Sequence, residues 1–323
     1  MRIAVIGGTG HVGTFLLPRL VRRGHEVLNL SRGRRSPYVD DEAWREVRQV
    51  SLDRVAEEEA GTFALRVAEL GPDVVVDMVC FTPQSAAALL TGLRGRVGHL
   101  VHCGSIWRYG PSVAVPITEE NATPPAGEYG INKDAIARML RAESGSGGLV
   151  TTSLHPGHIS GPGWAPIGPL GNLDAGVWWT LSAGEELAIP GMGAELMHHV
   201  HADDVAQAFE LAIEHREAAA GQAFNVVAPS ALTVRGYAQI AASWFGQPAR
   251  LRTVGWKRFH AAQAPEYAEQ SWDHLWRSHY VSIDEARSRL GYNPAYQPQD
   301  AVLEAVRWLV DNGQLHVARP LRA

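Results

Sequence analysis

The sequence predicts a doubly wound α/β protein: a mostly parallel sheet, with a smaller C-terminal substrate domain interleaved with it. Three observations carry this. A glycine-rich turn separates the first strand from the first helix, short apolar runs alternate with helix-period segments up to about residue 160, and the texture changes to Gly, Pro and Trp beyond Gly161.

The elements follow in order. Arg2 to Ile6 (RIAVI) is an apolar run ended by glycines, and His11 to Arg23 carries Val12, Leu16, Leu20 and Val21 at helical spacing. Gly24 closes that helix and Glu26 to Leu30 gives a second strand, which makes a right-handed βαβ unit. Further strands are expected at Val47 to Leu52, Val74 to Val79, His99 to Cys103 and Val150 to His155. Helical segments are expected at Ala60 to Leu70, Ser85 to Leu93 and Ile131 to Glu143. The expected division is a dinucleotide-binding domain over 1–160 and a mainly substrate-binding domain over 161–323. Strands near 198–201 and 223–227 are expected to return to the main sheet, and seven of the ten tryptophans fall between Trp164 and Trp276.

Composition bounds the function. With 46% apolar and 20% charged residues in 323, the chain can bury a large core, which excludes disorder as its main state. The net charge is -5, and the basic residues are scattered except for Arg22-Arg23 and Arg32 to Arg35, so no nucleic-acid partner is expected. No stretch approaches the roughly 20 apolar residues that cross a bilayer. A soluble, cytoplasmic protein without a membrane partner is therefore expected. Cys80 and Cys103 lack CxxC spacing, which suggests neither a disulfide framework nor a zinc site.

The turn after the first strand reads GGTGHVG, with Gly7, Gly10 and Gly13 at three-residue spacing. Glycine is needed where φ is positive or where a Cβ would block a pyrophosphate, and the helix N-terminus offers free N–H groups and the positive dipole end. Thr9, His11 and Val12 complete the expected pyrophosphate turn. At the end of the second strand, where a carboxylate commonly grips the adenine ribose of NAD, the chain has Ser31 followed by Arg32. Without that carboxylate a 2′-phosphate is not repelled and can pair with a guanidinium, so NADP is preferred, with NAD possible. Asp53, after the third strand, either accepts from the adenine amino group or caps a helix.

Tyr129 and Lys133 are four residues apart, on one face if a single helix holds both. An ammonium beside a phenol favours the phenolate and lowers its pKa toward the range of a general base. Ser105 follows the strand ending at Cys103, at the sheet edge where ligands bind.

With these motifs the sequence resembles the short-chain dehydrogenase/reductase superfamily, in its extended NAD(P)-dependent epimerase/dehydratase branch. The likeness continues through His155-Pro-Gly-His158, His201-Ala-Asp-Asp204, Phe224-Asn-Val226 and Gly291-Tyr-Asn-Pro294. It implies a Rossmann sheet, Tyr129 as acid/base, Lys133 on the nicotinamide ribose hydroxyls and Ser105 holding the substrate oxygen. It also implies that Cys80, Pro156, His158 and Ile159 lie against the cofactor. The expected activity is hydride transfer at a secondary alcohol or ketone of a sugar-like or specialised metabolite, by an oxidoreductase or epimerase. A non-catalytic cofactor-sensing or RNA-associated member of the same scaffold is the alternative. A homodimer through the helices at Ser85 to Leu93 and around Tyr129 is implied as well.

The chain departs from the branch in two places. Ile106 and Trp107 follow the serine where 4,6-dehydratases carry acidic residues, so that elimination lacks its proton donor. Met197-His-His-Val-His201 stands where nucleotide-sugar epimerases tend to carry an arginine for the diphosphate. Trp107, Trp164, His158, Met197 and Trp276 are the substrate-contact candidates. His198, His199, His201, Asp203 and Asp204 face different ways on a strand, and Asp204 and Gln207 have capping-box spacing, so no metal is expected.

Overall fold

The computed structural model of the protein describes residues 1–120 and 123–322. The first half alternates as the apolar periods require: β1 (Arg2–Ile6), α1 (Gly13–Arg22), β2 (Glu26–Ser31), β3 (Arg48–Ser51), α2 (Arg54–Glu59), α3 (Phe63–Glu69), β4 (Val74–Asp77), α4 (Pro83–Leu93), β5 (His99–Cys103), α5 (Gly127–Gly145) and β6 (Val150–Pro156). The second half contains β7 (His158–Ser160), α6 (Gly176–Ala183), β8 (Glu186–Pro190), β9 (Leu196–Met197), β10 (His199–His201), α7 (Ala202–Glu214), α8 (Arg216–Ala219) and β11 (Ala223–Val226). It ends with β12 (Leu232–Thr233), α9 (Val234–Trp244), β13 (Arg250–Val254), α10 (Trp256–Ala262), α11 (Pro265–Leu275), α12 (Asp284–Leu290) and α13 (Pro298–Asp311).

Seven parallel strands form the central sheet in the order β11-β6-β5-β4-β1-β2-β3. The order reverses between β1 and β4, and the carboxyl ends of strands at such a switch point form the ligand crevice of an open α/β sheet. Ala223–Val226 joins this sheet as expected, in register with Ser153 to Pro156. His199–His201 does not: it pairs with His158–Ser160 in a separate parallel ribbon. The reason is local. The chain leaves β6 at Gly157, where a Cβ would meet the His198 carbonyl at 2.2 Å, and β7 diverges with β10 beside it.

α1 lays Leu16, Leu17 and Leu20 against the sheet with no exposure, each burial contributing roughly 1.5–3 kcal/mol. A second apolar core, formed by Trp178, Leu181, Ile189, Met197, Tyr237, Phe245 and Phe259, lies under α6, α9 and α13.

The start of α7 corrects the capping expectation. His201, not an aspartate, caps it, with Nδ1 accepting from the Asp203 N–H at 3.0 Å. Asp203 is taken by Arg19 at 2.7 Å, and buried Asp204 accepts from the backbone N–H groups of Ala295 and Tyr296. Gln207 reaches the Asn293 N–H rather than closing a capping box.

Candidate active site

The turn after β1 is shaped by contacts a side chain would break. Gly7 has φ of +84°, and a Cβ there would meet Val79 at 2.8 Å. At Gly13 a Cβ would lie 2.0 Å from the Gly8 carbonyl oxygen, so this glycine lets α1 close onto the turn. Gly10 donates to the Gly7 carbonyl at 3.0 Å. The glycines thus let the turn pack closely between β1, Val79 and α1, the local geometry that a glycine-rich dinucleotide turn requires. Thr9 is half-buried at its rim, and Val12 is buried in the first core. His11 is buried under Trp164, the rings stacked at 5.0 Å, and burial lowers its pKa to about 4. Trp164 also donates to the Tyr38 hydroxyl. It is thus brought to the glycine-rich turn and is 43% exposed there.

At the end of β2, the Ser31 hydroxyl accepts from the Gly33 N–H at 3.2 Å and so fixes the bend that carries Arg32. Arg32, Arg34 and Arg35 are all exposed. Asp53 takes the capping option, accepting from the Val55 N–H at the start of α2. Next to it Arg54 forms a buried pair that the sequence did not suggest, with both Asp77 carboxylate oxygens at 2.7 and 2.9 Å. Cys80 is buried beyond Asp77, and burial pushes its thiol up to about 12, so it is an inert thiol whose carbonyl matters more.

That carbonyl accepts from Lys133. The Lys133 ammonium is 1% exposed and donates at 2.8 Å to the carbonyls of both Cys80 and Cys103. Its charge lies 5.0 Å from the Phe81 ring centroid and 5.7 Å from that of Tyr129. α5 holds Tyr129 and Lys133 together, as the spacing predicted. The lowered phenol pKa does not follow: although Tyr129 is 41% exposed overall, desolvation of its phenol pushes it up to about 12, and the hydrogen bond from Ser105 only partly opposes this. Burial dominates for Lys133 too, lowering its pKa.

Ser105 is held at both ends. Its N–H donates to His155 Nδ1 at 3.2 Å, and its hydroxyl accepts from the Trp107 N–H at 3.2 Å. Gly104 permits this approach, since a Cβ would lie 2.1 Å from His155 Nδ1. His155 Nε2 lies 3.2 Å from Arg108, which pairs with Asp134, the residue after Lys133. The serine turn and the Tyr129 helix are therefore linked through His155, Arg108 and Asp134, a network absent from the sequence expectations.

Trp107 is the hub of the open side. Its ring meets Tyr129 at 5.9 Å and His274 at 4.9 Å, and the Arg277 guanidinium lies 4.1 Å from its centre. His158 touches His274 at 5.0 Å and His199 at 5.2 Å, and burial holds all three imidazoles below their ordinary pKa. Trp276 contacts Arg277, whereas Met197 is fully buried in the second core, pairing with Leu232, and this removes it from the pocket. Pro156 ends β6 in register with Val226, and Ile159 is half-buried against the first core. Arg277 stands out in the sequence, with Arg252, as a substitute cation for a diphosphate, whereas His274 was missed because nothing in α11 marks it without the fold.

A family model described as the NAD dependent epimerase/dehydratase family matches residues 3–227. A 2'-dehydrokanamycin reductase of Streptomyces kanamyceticus is 32% identical over 209 residues, 64% of this chain and 56% of that protein, so the match spans little more than half of the relative. A chloroplast stem-loop binding protein of 41 kDa from Arabidopsis thaliana is 24% identical over 91% of this chain and 75% of its own length. Among solved structures, a UDP-glucose-4-epimerase from Stenotrophomonas maltophila with bound NAD and formylated UDP-arabinopyranose has a TM-score of 0.73 at 18% identity, covering 97% of this chain and 99% of that one.

Proposed function

This chain belongs to the NAD dependent epimerase/dehydratase family, and we propose that within it the protein is an oxidoreductase or epimerase acting at a secondary alcohol or ketone of a sugar-like metabolite. The observation that carries this reading is the cluster of Ser105, Tyr129 and Lys133 at the carboxyl ends of β5 and β4, beside the glycine-rich turn that follows β1. When bound, a nicotinamide dinucleotide supplies the hydride acceptor or donor. The chain's own residues handle the proton. In oxidation Tyr129 takes the proton of the substrate hydroxyl as its C–H bond is lost and the carbonyl forms; in reduction it returns that proton to the carbonyl oxygen. Ser105 donates a hydrogen bond to the same oxygen. Lys133, whose ammonium lies 5.7 Å from the Tyr129 ring centroid, would bind the nicotinamide ribose hydroxyls.

Gly7, Thr9, Gly10, His11, Val12 and Gly13 would hold the pyrophosphate, with Pro156, His158 and Ile159 toward the nicotinamide. NADP is the preferred cofactor because Ser31 leaves no carboxylate at the end of β2 and Arg32 stands exposed next to it. Titrating the protein with NADPH and NADH, using energy transfer from tryptophan, tests this. NADPH should bind tighter, and R32A should remove the difference; equal or tighter NADH binding would reassign the cofactor to NAD. The stem-loop binding relative suggests a control, and no salt-dependent RNA retention is expected. No helix among the described residues is long and apolar enough to cross a membrane. We place a homodimer contact on α4 and α5, where Ala87, Ala88, Thr91 and Ile131 are exposed.

A further inference from the structure

We propose that the substrate of this site is an amine-bearing glycoside of more than one ring, whose second ring rests on an indole-and-carboxylate stripe along α11. This rests on the hydride-transfer reading above for the position of the reacting ring, at Tyr129 and Trp107. The stripe itself is independent of that reading.

Glu269, Trp272, Asp273 and Trp276 stand at i, i+3, i+4 and i+7, which places them on one face of α11 and its C-cap. Trp272 and Trp276 are parallel, at 6° with centroids 6.1 Å apart, and Trp272 is 45% exposed. Trp256 of α10 continues the row at 5.2 Å from Trp272. The inner end is continuous with the candidate active site, because the Arg277 guanidinium lies 5.2 Å from the Trp276 ring centre and 4.1 Å from that of Trp107. Flat indoles in a row suit the apolar faces of pyranose rings.

Two buried donors on this path have no hydrogen-bond partner among the described residues: the Trp276 indole N–H and Nε of Arg277. Arg277 is 2% exposed, and an unpaired donor at that depth is costly unless a ligand oxygen meets it. Hydroxyl groups of a glycoside supply such oxygens.

The charge of the occupant follows from the carboxylates. The Asp273 and Glu269 side chains are 55% and 74% exposed, and each stands 3.5 Å from its nearest basic neighbour, Arg277 and the His260 ring. Carboxylates interleaved with indole faces attract an ammonium through ion pairing and cation–π contact together. A nucleotide diphosphate meets the opposite environment. Arg277 already donates from its two Nη atoms to the carbonyls of Ala126 and Asp273 and faces the Asp273 carboxylate at 3.5 Å, and Arg252 is paired with Glu186, so carboxylates offset the cations a diphosphate would need.

The test is a tryptophan-fluorescence titration of the full chain with the glucosamine trimer, its fully N-acetylated counterpart and UDP-glucose. The first two share a backbone and differ in charge. The amine form should bind about tenfold tighter than the acetylated form, an advantage that E269Q/D273N removes. W272A should weaken both trimers, and UDP-glucose should bind weakest. Tighter binding of UDP-glucose, or W272A and E269Q/D273N variants that bind like the parent, would overturn the proposal. Cofactor titration of the same samples separates the two readings: a protein that binds the amine trimer but no NADPH or NADH keeps the stripe and loses the hydride-transfer assignment.

Discussion

The N–H of Ser105 donates to Nδ1 of His155, 50 residues further along the chain, and the other ring nitrogen faces Arg108 at 3.2 Å. His155 has no solvent exposure, and burial holds its pKa well below the ordinary value, so it stands as a neutral spacer between the serine turn and the Arg108–Asp134 pair on the Tyr129 helix. Replacing it with alanine should free the Ser105 turn and leave Arg108 half-paired. H155A is expected to lose about 1–3 kcal/mol of stability in urea and at least tenfold in turnover, with cofactor affinity little changed. An H155A variant with parental turnover would show that Ser105 needs no such support.

Gly13 is the tightest point of the cofactor turn. A methyl group there meets backbone rather than a flexible side chain, so α1 must shift away from Gly8. G13A should cost roughly 1–3 kcal/mol and abolish dinucleotide binding together, read by urea midpoint and by energy transfer from tryptophan. The outcome that contradicts the assigned role is full cofactor affinity in a destabilised G13A.

The buried histidines set the acid limit of the fold. His11, His99, His198 and His279 have pKa values lowered to about 4, and His199 to about 3, with desolvation as the largest cause in each. In the unfolded chain each titrates near the ordinary value, about 6.5. The unfolded state therefore binds more protons between these limits. Stability is complete above pH of about 6.5 and falls as pH drops toward 4, at a cost of about 1–2 kcal/mol per such histidine near pH 5. Urea midpoints measured from pH 7.5 down should fall steeply below about 6. A flat profile to pH 5 would mean that these rings titrate in the folded protein.

Much of this architecture was legible in the sequence because apolar period and glycine punctuation act locally. β1, β5 and β6 fall within a residue or so of their expected bounds, and Tyr129 and Lys133 share α5 as their spacing required. What escaped depends on contacts between distant segments. Arg54 was one arginine among many until β4 brought Asp77 to it, and His274 gained a role only when α11 packed beside Trp107. Burial also reversed one electrostatic expectation. A lysine four residues from a tyrosine does not lower the phenol pKa when desolvation of the phenol outweighs it and the ammonium is held by two carbonyls. Met197 looked like a pocket residue in a polar run, yet β9 turns its side chain into the interior.

The central claim is that Tyr129 moves the proton in a hydride transfer. Its most direct test compares the parent and Y129F for NADPH oxidation on a panel of keto-glycosides, with cofactor affinity measured on the same samples. The proposed chemistry predicts turnover in the parent, a loss of about 100-fold or more in Y129F, and NADPH binding within about twofold of the parent in the variant. Equal turnover by Y129F would contradict it.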